Sequence, residues 1–377
     1  MVDKYQIAFD IYRDFNMYDD AIRCQEEILK WAREANDKVW ISTAINNIGV
    51  ILMDRGQYSE ALEKYNESII IDKELEREKK LAISYSNIGA IHHFRNEYEE
   101  ALKKYEYGLE IYQKLGDLDG VLVNSVSVAR IHYERGNYYK SLQILEEALK
   151  ICDQLGDLNK KATILSDTGR VNESLSNYEE SLKYYGKSLE IAEQLGNTRQ
   201  IASLYNNIGL IYYRKKNYEE AMKFYNSSIE IDNKLGHLPS KAVSLCNLAD
   251  IFTDKGEYSK ALELLKEALK IQERSGLIRE RANIIGNIGI ILYNRADYKE
   301  ALKNFKEALE VYEKINSLTD KAQALKNIGA IHKVRGEYEK ALEYYNEALE
   351  IHENLGELAK KGNCLYLIGG IYLNQNK

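Results

Sequence analysis

Residues 39–75 read VWISTAINNIGVILMDRGQYSEALEKYNESIIIDKEL. Two helical periods lie in this stretch. Ile41, Ala44, Ile45, Ile48, Ile51 and Leu52 recur at the three-and-four spacing of one buried helix face. Ala61, Leu62, Tyr65, Ile69 and Asp72 hold the same register in a second run, from Tyr58 to Leu75. Between the runs stands Asp54-Arg55-Gly56-Gln57, where Gly56 suits the left-handed residue that ends a helix. The stretch is therefore a helix, a tight turn and a second helix, and such neighbours pack antiparallel.

The tyrosine that opens the second helix returns every 40 residues, at Tyr18, Tyr58, Tyr98, Tyr138, Tyr178, Tyr218, Tyr258, Tyr298 and Tyr338. One spacing held throughout predicts a tandem array that grows by adding units, in place of a single large core. The expected helix pairs are 1–37, 38–77, 78–117, 118–157, 158–197, 198–237, 238–277, 278–317 and 318–357, followed by an unpaired helix at 358–374, all in one array over 1–377. That last helix carries Cys364, Leu365, Leu367, Ile368, Ile371 and Leu373 and lacks the polar outer face of a cap. The expectation is a piece of a longer protein, with self-association through this helix as a further one.

Glycine recurs inside the first helix at Gly49, Gly89, Gly169, Gly209, Gly289, Gly329 and Gly369, with Ala129 and Ala249 in the gaps. Glycine in a helix interior costs about 1 kcal/mol against alanine. Repeating that cost implies a place where a neighbouring helix leaves no room for a side chain. The second helix has its own small column, from Ala61 to Ala341. Beside it stand Tyr65, Tyr105, Tyr185, Tyr225, Phe305 and Tyr345, with Leu145 and Leu265 as substitutes.

Gly49, Tyr58, Ala61 and Tyr65 resemble the tetratricopeptide repeat, and the likeness runs through nearly the whole chain. The unit is longer than the 34-residue form. Ile45, Tyr85, Leu165 and Tyr205 replace the family tryptophan, and the closing proline is missing. This longer form is similar to the repeats of kinesin light chains, mitotic-spindle adaptors and bacterial peptide-sensing regulators. The resemblance implies an all-α, right-handed superhelical solenoid of antiparallel helix pairs. It also implies a protein or peptide partner held in a groove lined by the first helices, and no catalysis.

With Ile48 at the centre of the buried stripe, Thr43, Asn46, Val50, Met53 and Asp54 point away at about 100° per residue. The Ile51 column is isoleucine or valine in every unit. The Val50 column instead runs through Ala90, Arg130, Arg170, Leu210, Asp250, Ile290, Ala330 and Gly370. The Asp54 column runs through Phe94, Glu134, Ser174, Arg214, Asp254, Asn294 and Val334. Positions free to change carry no common packing constraint and read either as solvated surface or as groove. At the border lie Asn47, Asn87, Asn207, Asn247, Asn287 and Asn327, interrupted by Ser127 and Asp167. An amide both donates and accepts, which suits the main chain of an extended peptide or a neighbouring helix. The candidate ligand residues are these asparagines with Arg130, Glu134, Arg170, Arg214, Asp250 and Asp254. The ligand expected is charged in its centre and apolar towards its ends, with arginines suited to carboxylates.

Lysine and arginine total 52 against 59 aspartate and glutamate, a net charge of −7, which argues against nucleic acid as a partner. No apolar run reaches ~18 residues, so no membrane span is expected. Met1-Val2-Asp3-Lys4-Tyr5 lacks the layout of a signal peptide. Cys24, Cys152, Cys246 and Cys364 share no metal spacing and read as free thiols in a reducing compartment, so the expected location is cytoplasmic. His92, His132 and His332 share the Leu52 column and read as packing residues. No phosphate loop, nucleophile elbow or HExxH is present, and no metal or cofactor is expected. The function these features imply is a scaffold binding a peptide segment of a partner. The alternative is the peptide-sensing domain of a bacterial signalling protein.

Overall fold

The computed structural model describes residues 2–14, 17–275 and 277–375. Its helices are α1 (Val2–Asp14), α2 (Tyr18–Glu34), α3 (Lys38–Asp54), α4 (Tyr58–Glu74), α5 (Glu78–Phe94), α6 (Tyr98–Leu115), α7 (Leu118–Glu134), α8 (Tyr138–Leu155), α9 (Leu158–Ser174), α10 (Tyr178–Gln194), α11 (Thr198–Arg214), α12 (Tyr218–Leu235), α13 (Leu238–Asp254), α14 (Tyr258–Ser275), α15 (Ile278–Asn294), α16 (Tyr298–Lys314), α17 (Leu318–Val334), α18 (Tyr338–Asn354) and α19 (Leu358–Gln375). No strand occurs among the described residues. The fold class is all-α, a solenoid of antiparallel helix pairs. Each even-numbered helix opens on a repeat tyrosine.

The chain divides into two compact units, one running to Tyr184 and one from Tyr185, with the division inside α10. In the first unit each helix packs on the next from α1 to α9, and the first helices α3, α5 and α7 also touch in turn. In the second unit the same holds from α11 to α19, with α11 against α13 and α15 against α17.

The glycine column has a direct steric cause. A Cβ built on Gly49 would stand 2.9 Å from the Tyr65 ring, and one on Gly209 would stand 2.7 Å from the Tyr225 ring. Gly289 faces Phe305 at 2.7 Å and Gly329 faces Tyr345 at 2.6 Å. Where the first helix carries alanine, the ring is gone: Ala129 lies in one buried cluster with Leu145, and Ala249 in another with Leu265. Volume is conserved across the pair while its two halves exchange it. Gly369 has nothing within 4 Å, and Leu365 beside it is 49% exposed, whereas the equivalent Ile45 is 1% exposed. Where serine replaces the facing alanine, its hydroxyl donates to the first helix, Ser141 Oγ to Ala129 O at 2.7 Å and Ser181 Oγ to Gly169 O at 2.8 Å. These bonds satisfy the two serine hydroxyls where the helices come close.

The turns end in the left-handed region. Gly56 has φ 76°, the conformation its missing Cβ permits. The equivalent Ala296 is held at φ 63°, where an L side chain costs roughly 1–2 kcal/mol. Ala296→Gly is therefore expected to stabilise the α15–α16 hairpin by about 1 kcal/mol after glycine's larger entropy loss. Urea melts of the two proteins check this, and an unchanged or lower midpoint would contradict it.

Candidate functional site

The first helices present one face whose columns behave oppositely. Residues of the Ile51 column are between 0% and 2% exposed in both units. One residue earlier, Val50, Ala90, Arg130 and Arg170 in the first unit are half-buried, as are Leu210, Asp250, Ala330 and Gly370 in the second, and Ile290 is exposed. None of the Val50 column is sealed by protein. In the Asp54 column, Asp54, Phe94, Glu134, Arg214, Asp254, Asn294 and Val334 are exposed and Ser174 is half-buried.

In the first unit the charged residues are drawn into pairs. Arg130 donates Nε to Asp167 Oδ2 at 3.0 Å. Arg170 donates to Asp167 Oδ1 at 3.0 Å. Two guanidiniums thus share one carboxylate, at the position where other units carry the border asparagine. Arg170 also lies 4.8 Å from the Tyr133 ring centre, a cation–π contact. Glu134 meets His93 Nε2 at 2.7 Å, and Asp54 accepts from Arg13 at 3.0 Å. Exposed Phe94 stacks on Tyr58 at 5.9 Å between ring centres.

In the second unit the balance is acidic. Asp254 accepts from Lys216 at 3.1 Å and from the Tyr218 hydroxyl at 2.9 Å. Burial opposes its ionisation, but these donors outweigh burial and hold its carboxyl below the usual range. Asp250, one turn earlier, has no hydrogen bond to its carboxylate among the described residues. Burial first, and then the Asp254 charge, push its pKa up to about 6 against the pull of Arg214. Arg214 is exposed at the end of α11.

The border asparagines divide into two groups. Asn47 donates to Gln25 at 3.2 Å, Asn247 donates to Asn206 at 2.6 Å, and Asn327 accepts from Gln323 at 3.0 Å. Asn87, Asn207 and Asn287 are half-buried and make no side-chain hydrogen bond among the described residues.

A family model described as tetratricopeptide repeat matches residues 40–114, 122–194, 200–274, 280–354 and 320–377, and a second of that description matches 159–235. The chain belongs to the tetratricopeptide repeat family. A model of anaphase-promoting complex subunit 5 also matches, over residues 7–55. No curated protein matches the sequence. Among solved structures the tetratricopeptide array is similar to a Rap protein complexed with Competence and Sporulation Factor. That match has TM-score 0.64 and 17% identity, and covers 95% of this chain and 99% of that one. It is also similar to aspartyl phosphate phosphatase F from Bacillus subtilis, with TM-score 0.62 and 15% identity, over 93% and 94% of the two chains. A third is a signal-transduction ATPase with a tetratricopeptide repeat sensor from Pyrococcus horikoshii. It has TM-score 0.56 and 18% identity, and covers 89% of this chain and 52% of that one. At these identities the likeness is one of fold.

Some polar residues of the tetratricopeptide face do structural work that the helix wheel does not reveal. Asn46, plotted as pointing away from the core, donates to Ser84 on the next first helix at 2.7 Å. Its equivalent Asn206 donates to Ser244 at 3.1 Å, and Ser244 passes the chain on to Ser228 at 3.1 Å. His132 and His332 are buried in the Leu52 column, and His332 stacks on Tyr344 at 5.4 Å between ring centres. Cys24, Cys152, Cys246 and Cys364 are free thiols. No helix among the described residues is long and apolar enough to cross a membrane.

Proposed function

We propose that this tetratricopeptide array is a protein-interaction scaffold that holds an extended peptide segment of a partner along its first-helix face. One observation carries the reading. The Val50 column, which changes freely in size and charge between units, is left partly open to solvent, while the Ile51 column beside it, always isoleucine or valine, is closed. The amides of Asn87, Asn207 and Asn287 are left for a ligand's main chain, and Arg130, Glu134, Arg170, Arg214, Asp250 and Asp254 set its charge preference. The reading is one of binding without turnover; likeness in fold to a phosphatase carries no catalytic group to this chain.

The test uses peptides selected from a random 12-residue display library on the purified chain. The combined variant Asn87→Ala, Asn207→Ala and Asn287→Ala removes amides that bond to nothing else, so its melting should not fall. Each lost bond contributes about 1 kcal/mol, so affinity is expected to drop tenfold or more. Selected peptides that bind the variant as tightly as the parent would refute the groove.

A second reading, a peptide-sensing regulatory domain, draws support from the likeness to the Rap protein complexed with Competence and Sporulation Factor and to the sensor-bearing ATPase. It requires that the ligand change the pitch of the array. Small-angle scattering with and without a selected peptide separates the two readings.

A further inference from the structure

Between α7 and α9 a cavity of about 260 Å³ opens on the first-helix face. Leu122 and Ile164 in its wall are buried, Val126 is half-buried and Val123 is exposed. The Ser127 hydroxyl donates to Val123 O at 3.0 Å and the Thr163 hydroxyl to Asn159 O at 3.1 Å. Both hydroxyl protons are therefore engaged within their own helices, and the lining is more apolar than its composition suggests. α7 carries Val123 and Val126 where α3 has Thr43 and Asn46.

Two cations border this cavity, and they differ. Lys160 is bonded to Asp119 and to Asp157, so its charge is matched on both sides. Arg130 places Nε and one terminal nitrogen on a single oxygen of Asp167, at 3.0 and 2.9 Å, while Arg170 occupies the other oxygen. One carboxylate cannot neutralise two guanidiniums. The remaining terminal nitrogen of Arg130 has no partner among the described residues, and 42% of its side chain is exposed.

Resting on the peptide-groove reading above, we propose that this cavity receives one bulky apolar side chain of the bound peptide. Arg130 receives the carboxylate of an aspartate or glutamate placed two residues away from it. A cavity of about 150 Å³ holds benzene, so the space admits leucine or phenylalanine. In an extended peptide, side chains two residues apart share a face about 7 Å apart. Val126 and Arg130 stand one helical turn apart, about 6 Å along α7. The bound motif is an apolar and an acidic residue separated by one other, and Asp167 is the internal group the acid displaces in part.

Random 12-residue peptides displayed against the purified 377-residue chain test this. The enriched sequences should share the spaced apolar–acidic pair. Synthetic copies should lose tenfold or more in affinity for Val123→Trp, which fills the cavity from an exposed position, and for Arg130→Met, which leaves Asp167 its bond to Arg170. Asp167→Asn restores the residue most other units carry there, and should raise affinity at least threefold by removing the internal competitor. If Val123→Trp fails to fold, the Arg130 and Asp167 variants decide the matter alone. Peptides sensitive to the triple asparagine variant but indifferent to Arg130→Met and Asp167→Asn would overturn this motif and leave the groove standing. Failure to enrich any peptide, or indifference to every variant, would overturn both.

Discussion

Replacing Gly329 by alanine is expected to destabilise the α17–α18 pair by up to about 2 kcal/mol, the balance of overpacking at about 1–3 kcal/mol and a helix-propensity gain of about 1 kcal/mol. The new methyl would stand 2.6 Å from Cε1 of Tyr345, and that ring is wholly buried, so it has nowhere to retreat. Tyr345→Leu alone should cost about 2–3 kcal/mol by leaving a void beside the glycine. Made together, the two changes rebuild the alanine–leucine pairing found at Ala129 and Leu145 and again at Ala249 and Leu265. The double variant should therefore lose at least about 1 kcal/mol less than the sum of the singles. Repeat arrays can unfold piecewise, so amide exchange within α17 and α18 is the sharper readout beside a urea melt. Strict additivity would show that the glycine is not there for the ring.

The second large effect is electrostatic. Asp250 sits half-buried with no donor to its carboxylate among the described residues, and its pKa is pushed up to about 6 from an ordinary value near 3.8. The folded state therefore holds this proton more tightly than the unfolded state does. The resulting stability is fully present below about pH 4 and is lost as pH rises through about 6. A shift of this size corresponds to about 3 kcal/mol at most, and partial solvent access lowers the expectation to about 1–3 kcal/mol. Asp250→Asn should stabilise the second unit by that amount at pH 7.5, with the difference from the parent closing towards pH 4. Amide exchange in α13 at the two pH values measures it. A gain that does not depend on pH would point to helix propensity instead of charge. A carboxylate kept charged at such cost is a functional-site candidate, and the same variant should weaken any ligand that brings a cation to Asp250.

The helix pairs and the core were legible in the sequence because each repeat reports on the others. Gly49, Tyr58, Ala61 and Tyr65 recur in register, and a register repeated many times leaves no freedom in pairing helices. The interior asparagines were harder to read. A helix wheel centred on Ile48 locates the stripe that meets the helix's own partner, but it carries no term for the next first helix. Asn46 and Asn206 face that neighbour, and so bond to Ser84 and Ser244 although the wheel turns them outwards. The arginines show a related limit. Arg130 and Arg170 were readable as carboxylate receptors, but not that Asp167 already stands between them, because α7 and α9 are brought together only by the stacking of the array. The α7–α9 cavity belongs to the same class, since it exists between elements that are not consecutive in sequence.

The exchange of bulk between Gly329 with Tyr345 and Ala129 with Leu145 has a consequence for recombination. A crossover placed between helix pairs, such as near residue 77 or 117, transfers both members of a pair and keeps each one matched. A crossover in the inner turn of a hairpin, near residue 56 or 136, can join an alanine-type first helix to a tyrosine-type second helix. Chimeras cut there between unlike repeats should fail at one hairpin, whereas chimeras cut between pairs should retain a matched core in every unit.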